Sequence, residues 1–219
     1  MISTREAYAN AILELGKENP NVVVVDADLS VSTGTHKFAK AFPERFFDVG
    51  CAEQNMVGVA AGLAIAGKTV FVSTYSMFLM RAWEQIRNTV AFDNLNVKLI
   101  CTHSGLTNAA DGSSHQCLED IAIMRVIPNM RVLAPCDEFE ATQMVFDESK
   151  RDGPCYMRLS REVTPPCSVQ YWDHIRYGDD IVIEEGIKAG EQVVTGGQLM
   201  LRPGSRVKIV SPDAKSEKK

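Results

Sequence analysis

Short runs of branched apolar residues recur between longer helix-like stretches along most of this 219-residue chain. The clearest is Val22-Val23-Val24-Val25, flanked by Asn21 and Asp26 and apolar at every position. A strand with no polar face must be covered on both sides, which is the environment of a parallel sheet. Further strands are expected over 69–73, 97–101, 131–134 and 155–159. Helices are expected over 3–16, 52–66, 77–90, 118–124 and 138–148. Ser3-Thr4-Arg5-Glu6 has the spacing of a capping box, and Gly16 and Gly67 stand where two helices should stop. Strict alternation of this kind predicts an α/β fold, a mostly parallel sheet flanked by helices, with functional loops at the carboxyl ends of the strands.

Two features modify that reading. The helix over 52–66 carries Gly58, Ala60, Ala61, Gly62 and Ala64, small residues that let a second helix or subunit approach closely. Helical periodicity then ends at Thr164-Pro165-Pro166-Cys167, so residues 1–166 are expected to form one domain. Residues 167–219 are expected to be a short β-rich C-terminal extension ending in a charged, frayed tail.

Composition excludes several classes. The balance of 23 basic and 28 acidic residues, net −5, lacks the footprint of a nucleic-acid or anionic-membrane binder. The start of the chain has no apolar leader and no long apolar run follows, so a cytoplasmic protein without a membrane partner is expected. Six cysteines without a C-x-x-C pair suggest reduced thiols and no zinc site. Phosphate-loop, dinucleotide, zincin and hydrolase-elbow motifs are all missing.

Three constellations could carry chemistry. Glu53, in Gly50-Cys51-Ala52-Glu53-Gln54, places a carboxyl group on the first turn of an apolar helix, where it could instead simply complement the helix dipole. Tyr75, Phe78 and Trp83, in Thr74-Tyr75-Ser76-Met77-Phe78-Leu79-Met80-Arg81-Ala82-Trp83, could frame a flat ligand or equally fill a core. Thr102-His103-Ser104-Gly105 and Asp111-Gly112-Ser113-Ser114-His115-Gln116 bring two of the four histidines and an aspartate into one polar loop after a strand. Such loops are often functional, although the histidines could also cap loop carbonyls.

Taken together and in this order, the three segments resemble the pyrimidine-binding domain of thiamine-diphosphate enzymes of the transketolase family, in particular the C-terminal subunit of split-gene transketolases. The resemblance covers about residues 3–165. It implies that Glu53 hydrogen-bonds ring nitrogen N1′ of the cofactor's aminopyrimidine and that Phe78 and Tyr75, with Arg81 nearby, line its pocket. It further implies that His103 helps hold a sugar phosphate, that Asp111 reads a substrate hydroxyl and that His115 lies beside the reacting carbon. Arg5, Ser32 and Arg161 match the remaining phosphate-binding positions, and guanidinium forks suit phosphate oxygens. The sister family, deoxyxylulose-phosphate synthase, shares Glu53-Gln54 and the Tyr-Ser-x-Phe-Leu-x-Arg run, while His103 favours transketolase.

The family binds the cofactor's diphosphate and Mg2+ through a Gly-Asp-Gly segment that this chain lacks. A separate diphosphate-binding transketolase subunit is therefore implied, with the pyrimidine domains dimeric or in a heterotetramer, no metal ligand on this chain, and little activity alone. The expected function is transfer of a two-carbon ketol unit between sugar phosphates, as in the pentose phosphate pathway. The alternatives are a noncatalytic truncated or chimeric remnant that binds a partner, and a synthase-like enzyme. Residues 185–210 of the tail resemble the C-terminal end of periplasmic efflux adaptors.

Overall fold

The structure is a computed structural model, and it describes residues 1–106 and 108–166. The extension expected over 167–219, with its resemblance to an adaptor, lies outside the described residues.

Helix α1 (Thr4–Glu18) starts where the capping box predicts, with Ser3 Oγ accepting the Glu6 amide at 3.2 Å. It runs one half-turn past Gly16, because Arg45 donates to the carbonyls of Gly16 at 2.7 Å and Asn19 at 3.0 Å and so satisfies its end. Strand β1 (Val22–Asp26) is buried at all five positions. Between β1 and the helix expected over 52–66, where the sequence pattern predicts no element, the chain winds into α2 (Ser30–Thr33), and α3 (His36–Ala41) and β2 (Phe46–Asp48) follow before α4 (Glu53–Ile65). Elements this short hold fewer than two hydrophobic periods, so sequence pattern could not reveal them. Tertiary bonds hold α2 in place: Thr33 and Thr35 donate to the Asp26 carboxylate at 2.9 and 2.8 Å.

After β3 (Thr69–Tyr75), the single helix expected over 77–90 is broken into α5 (Ser76–Leu79), a 3₁₀ turn at Met80–Ala82, α6 (Trp83–Gln85) and a π turn at Ile86–Ala91. Leu79, Ala82, Ile86 and Val90 all stay buried through these changes of winding. The Trp83 indole donates to the Ile123 carbonyl at 2.9 Å, so a tertiary anchor and a continuous apolar face together override regular winding. Strand β4 (Val97–Thr102), α7 (Asp120–Arg125), β5 (Arg131–Leu133), α8 (Glu138–Ser149) and β6 (Cys155–Arg158) complete the described fold.

The six strands form one parallel sheet in the order β2-β1-β3-β4-β6-β5. Side chains alternate across it. Val23, Val25, Val70, Val72, Val97 and Leu99 pack on one face against α4, the 76–91 segment and α7. On the other face α1 packs against α8, and Tyr8 Oη bonds Ser73 Oγ at 2.7 Å. The small residues of α4 divide in the same way. Ala60 and Ala61 are buried, whereas a methyl group added at Gly58 or Gly62 would meet nothing within 4 Å. Because every strand is parallel, all carboxyl ends open on one edge, where the candidate residues lie.

Candidate functional site

Strands β3 and β4 end on Tyr75 and Thr102, which are register partners. The chain then leaves β4 through His103 in the left-handed region, φ +59°, a conformation that His tolerates better than most side chains. The Tyr75 and His103 rings stack at 3.8 Å between centroids, and Tyr75 stacks on Phe78 at 5.2 Å. His115 meets Phe78 edge-on at 5.1 Å and Tyr75 at 6.3 Å. Four rings from three sequence segments thus form one wall. Trp83, grouped with them in the sequence, is turned instead to α7.

A cationic rim borders this wall. The first turn of α1 is tied to the segment after β6: the Ser160 amide donates to Thr4 Oγ1 at 2.8 Å, and the Arg5 amide donates to the Ser160 carbonyl at 3.3 Å. That tie carries Arg5 and Arg161 toward His103. Arg5 Nη1 donates to the Ser32 carbonyl at 3.1 Å, so Ser32 holds the arginine through its backbone. Arg161 lies 3.4 Å from Asn108 Oδ1 and 3.9 Å from the Asp111 carboxylate. Burial, followed by the charges of Arg5 and Arg161, pushes the His103 imidazole down to about 4 against the opposing pull of Asp111. The ring is therefore neutral near pH 7. Thr102 Oγ1 engages its Nδ1 at 2.8 Å, which leaves Nε2 as the nitrogen for a ligand.

Glu53 opens α4 and is only 9% exposed. Among the described residues no hydrogen bond or ion pair engages its carboxylate. Arg81 is exposed on the 3₁₀ turn. A carboxyl group on a largely buried residue and a flat aromatic surface each suit an aminopyrimidine, which offers ring nitrogens and a ring face. Among the described residues no group of three or more His, Cys, Asp or Glu side chains gathers to hold a metal, and no helix is long and apolar enough to cross a membrane.

Two groups at this edge were not singled out from the sequence. Asp26, read only as the boundary of the Val22-Val23-Val24-Val25 run, is fully buried at the end of β1, and desolvation pushes its carboxyl up to about 6 despite hydrogen bonds from the Leu29 amide, Thr35 and Thr33. Asp120, read as part of a helix start, is buried behind the ring wall with Tyr156 and Arg158. A charged residue closing an apolar strand was a usable signal for the first. Only the fold could reveal the second.

Residues 1–166 match the family model described as the transketolase pyrimidine-binding domain. The chain is 55% identical over 161 residues to a protein of Methanocaldococcus jannaschii named as a transketolase C-terminal section, covering 73% of this chain and 51% of that one. It is 34% identical to the 1-deoxy-D-xylulose-5-phosphate synthase of Desulfotalea psychrophila, covering 94% of this chain and 34% of the synthase. Among solved structures, a split-gene transketolase described as an inactive beta4 tetramer superposes with a TM-score of 0.68 at 52% identity, over 75% of this chain and 53% of that one. The chain therefore spans about half or less of the length of these relatives. On the match over residues 1–166 and the parallel-sheet fold that accompanies it, this chain belongs to the family of transketolase pyrimidine-binding domains.

Proposed function

We propose that the chain is the pyrimidine-domain subunit of a thiamine-diphosphate-dependent transketolase, acting with a separate subunit that holds the cofactor's diphosphate and Mg2+. The observation that carries this reading is the convergence of Arg5 and Arg161 on a buried, neutral His103 stacked against Tyr75. That arrangement suits the phosphate end of a sugar phosphate, with guanidinium groups for the charge and an imidazole nitrogen for orientation.

Each residue then has a task. Tyr75 and Phe78 offer a surface to the aminopyrimidine, with Arg81 at the margin, while the Glu53 carboxyl accepts or shares a proton at ring nitrogen N1′. Thiamine diphosphate, when bound, supplies the electron sink for breaking and forming the carbon–carbon bond. Arg5, Arg161 and His103 fix the phosphate, with Ser32 holding Arg5. Asp111 reads a substrate hydroxyl, and His115, against Phe78, stands beside the reacting carbon and moves protons there. The split-gene relative of known structure is a tetramer, which supports assembly of this chain into a dimer or heterotetramer with its partner.

The test is isothermal titration of thiamine diphosphate with Mg2+ into the chain, alone and with a diphosphate-binding transketolase subunit, followed by turnover of ketose and aldose phosphates. Binding and ketol transfer only with the partner are expected, and Glu53→Ala should abolish both. Near-normal turnover by Glu53→Ala would overturn the assignment. The match to the synthase supports a second reading, a deoxyxylulose-phosphate synthase-like enzyme. Formation of deoxyxylulose phosphate by the assembled complex, without ketol transfer between sugar phosphates, would establish it.

A further inference from the structure

Behind the ring wall lies a buried polar network that the proposed chemistry does not use. Asp120, the first residue of α7, is fully buried. Its carboxylate accepts from Tyr156 Oη at 2.7 Å, from Arg158 Nε at 2.8 Å and from Arg158 Nη2 at 3.3 Å. Tyr156 Oη also lies 3.1 Å from Ser76 Oγ, which in turn bonds Ser104 Oγ. Each of the three hydroxyl groups has one proton to give. A carboxylate can only accept, so Tyr156 donates to Asp120, and the Ser76 and Ser104 hydroxyls extend the row from the Tyr156 oxygen. Burial holds the Tyr156 phenol well above its ordinary range, which keeps it a donor.

The row ends on two residues of special position. Ser76 directly follows Tyr75, and Ser104 directly follows His103. Joining the two serines fixes the carboxyl end of β3 against the chain leaving β4, and hence the spacing of the stacked Tyr75 and His103 rings. Asp120 also stands three residues after Cys117, whose backbone pairs with Gly105 at 2.8 and 3.2 Å and closes the base of the loop that carries Asp111 and His115. One carboxylate thus braces both sides of the site.

We propose that Asp120 is a positioning residue: through Tyr156, Ser76 and Ser104 it holds His103 against Tyr75, and through Arg158 and the start of α7 it anchors the loop bearing Asp111 and His115. Its consequence for turnover rests on the function proposed above, while its consequence for ring geometry does not. Asp120→Asn keeps the shape but removes the charge and one of the two acceptor oxygens, so the amide oxygen that remains is shared by Tyr156 and Arg158 Nε while the amide NH2 faces the Arg158 Nη2 donor.

The experiment compares the His103 ring resonances of the full chain, assigned with His103→Asn, in the wild type and in three variants: Asp120→Asn, Tyr156→Phe and, as a control, Arg131→Lys. The control weakens a buried ion pair at the opposite, amino-terminal edge of the sheet, where Arg131 Nη2 meets Glu148 at 2.7 Å. Asp120→Asn and Tyr156→Phe should lose the ring-current shift that Tyr75 imposes on His103, whereas Arg131→Lys should retain it. With the partner subunit, Asp120→Asn should lower kcat/KM about 10- to 100-fold, as misplacement of a site by up to about 1 Å does. An unchanged His103 resonance in folded Asp120→Asn, or the same loss in the control, would overturn the proposal. If Asp120→Asn does not fold, the nearly isosteric Tyr156→Phe decides the question by the same signal. If the wild type proves inactive with every partner and donor tried, the function fails, yet the ring resonance still decides the positioning role.

Discussion

Acid should unfold this protein partly through one imidazole. In the folded chain His103 is pushed down to about 4, against 6.5 for an unperturbed histidine. Above pH 6.5 it is neutral in both states and contributes nothing to the pH dependence. As pH falls from 6.5 toward 4, the unfolded chain takes up a proton that the folded chain refuses, so stability is lost across that window. Each unit of displacement is worth about 1.4 kcal/mol, giving a ceiling of about 2.7 kcal/mol between pH 7 and pH 4.5. Solvent at the mouth of the site trims this to about 2 kcal/mol. The sign for Asp26 is opposite. Its carboxyl, raised to about 6 from 3.8, takes up a proton in the folded state first, so it adds stability as pH falls through 6. The two effects largely offset each other in the wild type, and the histidine must be isolated by difference. His103→Asn suits this purpose because Asn also adopts the left-handed backbone and does not titrate. Urea unfolding of both proteins at pH 7 and pH 4.5 should show the wild type losing about 2 kcal/mol more than His103→Asn. Parallel losses would show that burial and the Arg5 and Arg161 charges together do not hold His103 neutral, and would remove the buried, neutral imidazole from the proposed anion site.

Other perturbations probe different parts of the same fold. Arg161→Ala should raise KM for phosphorylated substrates far more than for unphosphorylated ones, and equal losses would count against a phosphate role. Arg131→Lys, which forfeits the forked grip on buried Glu148, should cost about 2 kcal/mol and lower the melting temperature by about 4–8 °C in a thermal scan. Ser3→Ala should cost about 1 kcal/mol by removing the cap from α1, read as a lower urea midpoint at unchanged slope.

Much of the architecture was legible in the chain because periodicity records how many faces an element buries. Val22 to Val25 could only be a strand covered on both sides, and the capping box at Ser3 could only open a helix. Where an element spans fewer than two of its own periods, as α2 and α3 do, or where a tertiary anchor overrides regular winding, as Trp83 does before the π turn, pattern says nothing. Of the candidate residues, the tertiary structure brings Tyr75, Phe78, His103 and His115 into one wall, and Arg5, Arg161 and Asp111 to its rim.

The sequence by itself determined the fold class and the edge of the sheet on which function sits, because both follow from local pattern and from the rule that parallel strands end together. Only the tertiary structure decided which loops meet. Arg5 and His103 are far apart along the chain, and the Thr4–Ser160 tie and a left-handed residue after β4 unite them. Asp120 shows the same limit most plainly. Nothing local distinguishes it from any acidic residue at a helix start, and its role exists only because folding removes it from water and gives it Tyr156 and Arg158 as partners.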